Sequence, residues 1–333
     1  MVAFAGKEYP AKGGTRILMT SDAKNLLKKI AGLIILIGCI AGVVAFCIYN
    51  RGVKIDEKTF PDETFRTYLL ERQDHNKDKW LRKDQIDFIK SISLEGCDNL
   101  QGIENFTGLT SLSLTNCKDV SEVESVTSLK SLYLTDCKNV SIDFSKLTSL
   151  ERLIIKNSEI SVDIDLSGLQ YINEIEIEDS TVGSLSFTDC PILDKIYLHT
   201  STADKLLIEN CLLIHHVTVD EVQNITSIVL DDCPEMCDAY FVDCPDLNEL
   251  ALRKCNRLTI MNIIGCDLIK EVDMRGCEYI WQVFNTPDAL KTTDSSVRSG
   301  YITYYRSDDE LIRHLKLPQI RIHCKSDVEL ITK

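Results

Sequence analysis

The stretch "LRKCNRLTIMNIIGCDLIKEVDMRGC", residues 252–277, places a cysteine at every eleventh position: Cys255, Cys266 and Cys277. Aliphatic residues precede each one at fixed offsets, in the order apolar-x-x-apolar-x-apolar-x-x-Cys. The centre of that pattern alternates with period two, so a strand formed there turns its aliphatics to one side and its polar residues to the other. One thiol per unit, always at the same corner, spreads the sulfurs along a line, whereas a zinc site needs four ligands converging on a point. The cysteines therefore read as small, buried, weakly hydrogen-bonding core residues.

Working outward, the same pattern recurs as "LTSLSLTNC" at 109, "LKSLYLTDC" at 129, "LERLIIKNS" at 150 and "INEIEIEDS" at 172. From "VGSLSFTDC" at 182 it continues to "IKEVDMRGC" at 269. The period is 20–22 residues early in the chain and shortens to 10–11 near residue 180, which implies that the return side of each coil has itself become a strand. Self-similarity of this kind marks a solenoid, and the L-x-x-L-x-L-x-x-C core resembles the leucine-rich repeat. The expected fold is a leucine-rich-repeat-like β-solenoid, right-handed with parallel strands, two-sheeted over residues 182–285 and more open before that. Ten cysteines fall in register, and Ser158, Ser180, Ser201 and Val222 replace them elsewhere. Neighbouring ladder positions about 4.8 Å apart are close enough for bridging, but parallel side-chain directions disfavour the disulfide dihedral, so free thiols are expected. Cys233 and Cys237 have metal-like spacing without a second pair to complete a site.

Charge is unevenly distributed. Residues 1–50 carry six Lys/Arg against two acidic residues, a net of +4, which leaves −18 of the total −14 on residues 51–333. An acidic bulk repels phosphate backbones, so nucleic acid is not an expected partner. Residues 30–49, "IAGLIILIGCIAGVVAFCIY", contain no charge and are long enough to cross a hydrocarbon core as one helix. Lys24, Lys28 and Lys29 precede it, so the positive-inside bias keeps the N-terminus in the cytoplasm and the rest outside. "LIGC" ending at Cys39 offers lipoprotein processing as an alternative, although the apolar run continues well past it. The expected organisation is a basic cytoplasmic tail (1–29), a transmembrane helix (30–49), a linker and helical EF-hand-like cap (50–91), the solenoid (92–285) and a C-terminal cap (286–333).

Within the cap, "DHNKDKWLRKDQ", residues 74–85, sets Asp74, Asn76 and Asp78 at the first, third and fifth places of a calcium loop. Lys79 stands where such a loop has glycine, Arg82 takes a ligand place, and Gln85 replaces the bidentate glutamate. These changes reduce the expectation to weak calcium binding or a structural relic; no other cofactor is implied. Phe60, Phe65, Tyr68 and Leu69 supply one apolar face of this segment, and Ile86, Phe88 and Ile89 a second.

None of the six histidines sits in HExxH, and no GxSxG or phosphate-loop pattern occurs, so no catalytic residues are expected. Outward strand positions offer a platform for binding instead, acidic at Glu174, Glu176, Glu178 and Asp179 and again at Asp231 and Asp232. A protein or peptide ligand, basic if these carboxylates engage it, is the expected partner. "IDEKTFPDETFRTYLLERQDHNKDKWL" followed by "LQGIENFTGLTSLSL" resembles the opening of exported leucine-rich repeat proteins of Gram-positive bacteria. That resemblance implies a membrane-anchored cell-surface recognition or adhesion module and carries over no catalytic residue. A structural envelope component, or the extracytoplasmic sensor of a signalling assembly, stands as the alternative.

Overall fold

The structure is a computed structural model describing residues 29–30, 32–42 and 52–277, with the strand backbones 301–305, 321–325 and 329–331. Two compact units divide at Gly52. In the first, residues 32–42 are helical and exposed throughout. Among the described residues no helix is long and apolar enough to cross a membrane; Ala31 and residues 43–49 of the expected span, residues 1–28 of the expected tail and most of the expected C-terminal cap lie outside them.

The second unit is a parallel solenoid of two sheets. The first sheet runs through β3 (Ser91–Glu95), β4 (Ser111–Thr115), β5 (Ser131–Thr135), β6 (Arg152–Lys156), β8 (Glu174–Glu178), β10 (Lys195–His199), β12 (His216–Asp220), β14 (Asp238–Val242) and β16 (Ile260–Ile264). The second takes the alternate strands β7 (Ile164–Asp165), β9 (Leu185–Thr188), β11 (Lys205–Glu209), β13 (Ser227–Asp231), β15 (Glu249–Arg253) and β17 (Glu271–Asp273). Inward positions are apolar in every described coil, as with Leu112 and Leu114, Ile175 and Ile177, and Val217 and Val219, all fully buried. Each such side chain contributes roughly 1.5–3 kcal/mol relative to exposure, and stacking the coils is what buries it.

The change of period has a direct structural cause. In the early coils the return side is a short 3₁₀ turn, at Ile103–Asn105, Ser121–Ser125 and Phe144–Lys146. From β7 onward it is a strand. The second sheet thus begins at Ile164, earlier than the residue 182 expected from the cysteine spacing. β7 is two residues long, and the position equivalent to the ladder cysteine is Leu169, so it carries neither signal.

Every strand from β3 to β17 ends in the same corner. The residue before each ladder position has a positive φ: Asn116 (51°), Asp136 (55°) and Asn157 (47°) on the first sheet, Asp189 (55°) and Asn210 (54°) on the second. Asn, Asp and Gly tolerate this region best, which explains their recurrence there. The ladder side chain then turns inward. The Cys137 thiol donates to Thr135 O of its own strand at 3.3 Å and to Leu114 O of the preceding coil at 3.6 Å. Cys244 repeats this with Val242 O and Val219 O. Where serine replaces cysteine, Ser158 Oγ donates to Lys156 O at 2.8 Å and accepts the Cys137 amide at 3.0 Å. The ladder cysteines from Cys97 to Cys266 are free thiols.

The N-terminal part of this unit holds β1 (Val53–Lys54) antiparallel to β2 (Trp80–Leu81), with α1 (Glu63–Arg72) and α2 (Lys83–Phe88). Phe65 and Leu69 of α1 are buried in one core with Ile92 of β3, and Phe60, Phe65 and Phe106 form an aromatic cluster. Phe88, read from the sequence as part of an apolar patch, is instead 83% exposed, because the short helix α2 turns only Ile86 inward. At the other end β19 (Arg321–Lys325) extends the first sheet beside β16, and β20 (Glu329–Ile331) extends the second beside β17. β18 (Tyr301–Tyr305) pairs antiparallel with β19.

Candidate recognition surface

Strand register sorts the outward residues of the first sheet into columns. The middle column runs Tyr133, Ile154, Glu176, Tyr197, Thr218, Tyr240. Towards β3 the face is hydroxyl-rich, with Ser91, Ser93, Ser111, Ser113, Thr115, Ser131 and Thr135. Across β6 and β8 it is ion-paired: Arg152 with Glu174 at 2.6 Å, and Lys156 with Glu176 at 2.7 Å and Glu178 at 2.9 Å. Donating hydrogen bonds to these two carboxylates raises the Lys156 pKa, so it stays protonated.

From β10 to β14 histidine–aspartate pairs replace the lysines. His199 lies 3.1 Å from Asp220, and His216 lies 3.1 Å from Asp238. His215 Nδ1 hydrogen-bonds Asp194 at 2.7 Å, and Tyr197 stacks on His199 with ring centroids 5.8 Å apart.

The acidic residues read from the sequence do not form one platform. Glu174, Glu176 and Glu178 lie on β8 of the first sheet, with Asp179 at its left-handed corner, whereas Asp231 and Asp232 lie at the end of β13 in the second. Most of them are already engaged. Arg253 reaches Asp231 at 2.8 Å and Asp273 at 3.3 Å, and Lys254 reaches Asp232 at 3.4 Å. These partners sit one coil away, 20–22 residues along the chain, so linear charge runs do not reveal them.

The calcium-like loop keeps its turn but spends its oxygens internally. Lys79 adopts φ 62° where such a loop has glycine. Asp74, buried, accepts the amides of Asp78 at 3.3 Å and Lys79 at 2.9 Å. Asp78 accepts the Trp80 amide and pairs with Arg82 at 3.2 Å, while Asn76 is exposed. Gln85 Oε1 accepts the Arg82 amide as part of a helix cap instead of facing the loop.

One feature escapes sequence reading. Backbone bonds Asp194 N to Asn173 O and His215 N to Asp194 O fix the coil register on the rim between the sheets. They align Tyr171, Ile192 and Leu213, which are 56%, 38% and 46% exposed, and Leu212 beside them is 46% exposed. The next two places in the row are Glu235 and Arg257, an ion pair that closes the apolar stretch. Its sequence trace is the pair of residues after each ladder position, "PI" at 191–192 and "LL" at 212–213, which strand patterning treats as turn.

Residues 60–199 match the family model for the leucine-rich repeat domain of endo-beta-N-acetylglucosaminidase EndoS. Among solved structures the chain is similar to an internalin, inlF, from Listeria monocytogenes: 12% identity, 68% of this chain and 85% of that one, TM-score 0.35. It is also similar to the functional domain of InlJ from Listeria monocytogenes, which includes a cysteine ladder: 12% identity, 68% of each chain, TM-score 0.28. A third is the plant peptide hormone receptor RGFR1 in complex with RGF2, at 12% identity and TM-score 0.30, over 57% of this chain and about half (48%) of the receptor chain. No curated protein matches. Solenoids of the leucine-rich repeat type are typically protein-interaction modules and binding frameworks rather than enzymes.

Proposed function

We propose that the chain is a membrane-anchored interaction or adhesion module with a cytoplasmic N-terminus and an extracellular solenoid, which captures a protein partner on the rim formed by Tyr171, Ile192, Leu212 and Leu213. That rim carries the reading. It is a run of large apolar side chains across three coils, on a surface whose charged groups largely pair with one another. A contiguous exposed apolar strip is unfavourable in water unless something covers it.

Anchoring is supported by the wholly apolar, exposed helix at 32–42 and by the uncharged run 30–49 behind a lysine-rich tail.

Capture of surface proteins by the full-length chain, compared with an Ile192→Ser/Leu213→Ser variant, tests the rim. The variant is expected to fold with an unchanged melting temperature and to lose its partner. Equal capture by both would exclude the rim. Resistance of the full chain to carbonate extraction, with residues 53–277 open to protease added outside whole cells, tests the anchor and its direction.

A further inference from the structure

On the first sheet, away from the rim, β10, β12 and β14 build a second kind of surface. Tyr197, Thr218 and Tyr240 stand in one column, so the two tyrosines are two strand spacings apart, about 9.5 Å. Tyr197 is 38% exposed and Tyr240 half-buried. The column is flanked on one side by His199 with Asp220 and on the other by His216 with Asp238, each pair at 3.1 Å and each spanning two adjacent strands. Lys195 and Glu178 stand beside Tyr197 in the neighbouring columns and strands.

This is a polar sheet face with two tyrosines in one column, one ring face of Tyr197 stacked on His199 along its strand. Aromatic faces pack against the C–H faces of sugar rings, and imidazole–carboxylate pairs offer donors and acceptors that match vicinal hydroxyls. The carboxylates of Glu178, Asp220 and Asp238 around the tyrosines repel an anionic chain, which favours a neutral one. In a β-1,4-linked chain successive rings are flipped, so rings n and n+2 present the same face, at a separation comparable with the two-strand distance. Ring n+1 then lies over Thr218, whose hydroxyl suits the polar edge between the two stacked rings.

We infer that the sheet face formed by Tyr197, Thr218 and Tyr240, with the pairs His199–Asp220 and His216–Asp238, binds a neutral β-1,4-linked polysaccharide. This lies beyond the rim and its protein partner, and uses no residue of it. Bridging both tyrosines takes at least three sugar rings.

Isothermal titration of the full-length chain, in a detergent without sugar headgroups, against cellulose-derived and chitin-derived oligosaccharides of two to six rings tests it. Binding of either series is expected to strengthen at least tenfold between two rings and four, and no further step of that size should follow. Tyr197→Ala and Tyr240→Ala are each expected to weaken the hexasaccharide at least tenfold, with Tyr197→Phe restoring most of the loss. The rim variant Ile192→Ser/Leu213→Ser should bind sugar as wild type does, which separates this site from the protein-binding one. A preference between the two series identifies whether N-acetyl groups are read. Absence of binding to both at millimolar concentration, or binding that is indifferent to chain length or to both tyrosine truncations in variants of unchanged melting temperature, would overturn the inference.

Discussion

Asp62 Oδ2 accepts the backbone amide of Asp98 at 2.7 Å, while Asp62 Oδ1 accepts the amide of Phe65 at the same distance. One carboxylate thus starts helix α1 and fastens it to the corner of the first solenoid coil, 36 residues away. Removing it leaves two amides without their acceptor. Asp62→Ala should cost about 2–3 kcal/mol, read as a lowered denaturant midpoint with an unchanged slope.

The same group gives the fold an acid dependence. Burial opposes ionisation of Asp62, but hydrogen bonds from the Phe65, Asp98 and Asn99 amides and the Cys97 thiol outweigh it and hold its pKa below the usual carboxylate value. A carboxyl depressed on folding stabilises above its unfolded pKa, and that contribution is lost as pH falls through the folded value. Asp62→Asn should flatten the part of the stability profile below about pH 4 that this residue supplies. An identical acid limb in wild type and variant would refute the assignment.

The corner conformation predicts mutations of opposite sign. Thr200 and Glu221 hold φ of 47° and 54°, exposed, at positions where other coils use Asn, Asp or Gly. Thr200→Asn and Glu221→Asn should each stabilise by about 1 kcal/mol, measured by chemical denaturation. Gly265 is the converse case: at φ 71° a Cβ would stand 2.0 Å from Asp243 Oδ1 and 2.9 Å from Asp243 Cα. Gly265→Ala should therefore destabilise, and a neutral result would show that the corner relaxes freely.

Thiol chemistry should follow burial. Desolvation pushes Cys233 up to about 12 and Cys255 well above its ordinary value, so neither presents a thiolate at neutral pH. Among the described solenoid cysteines Cys237 alone is not buried. A thiol reagent should label Cys237 in the native protein and the ladder only after unfolding; prompt native labelling of Cys233 or Cys255 would contradict a closed seam.

Asp74 is expected to behave as an internal acceptor rather than a calcium ligand. Asp74→Ala should lower the melting temperature by the same amount with and without millimolar calcium, since the Asp78 and Lys79 amides lose their partner in both cases. A calcium-dependent rise in wild type that vanishes in the variant would reinstate the metal site.

The chain's own alternation of aliphatic and polar residues specified the strands, because a period of two determines which side of a strand can be buried whatever it pairs with. Its cysteine spacing likewise determined the coil length, and the one-per-unit placement of those sulfurs marked them as core. Tertiary structure alone decided the rest. The second sheet starts at Ile164, where a two-residue strand carries too little pattern to read. The neighbours of Glu178 and Asp231 are Lys156 and Arg253, one coil away, so an apparent acidic platform becomes two largely ion-paired faces. The line of Tyr171, Ile192 and Leu213 and the column of Tyr197, Thr218 and Tyr240 arise only when coils of 21 and 22 residues stack in register. Residues that distant in sequence become adjacent through backbone pairing, which a linear reading does not contain.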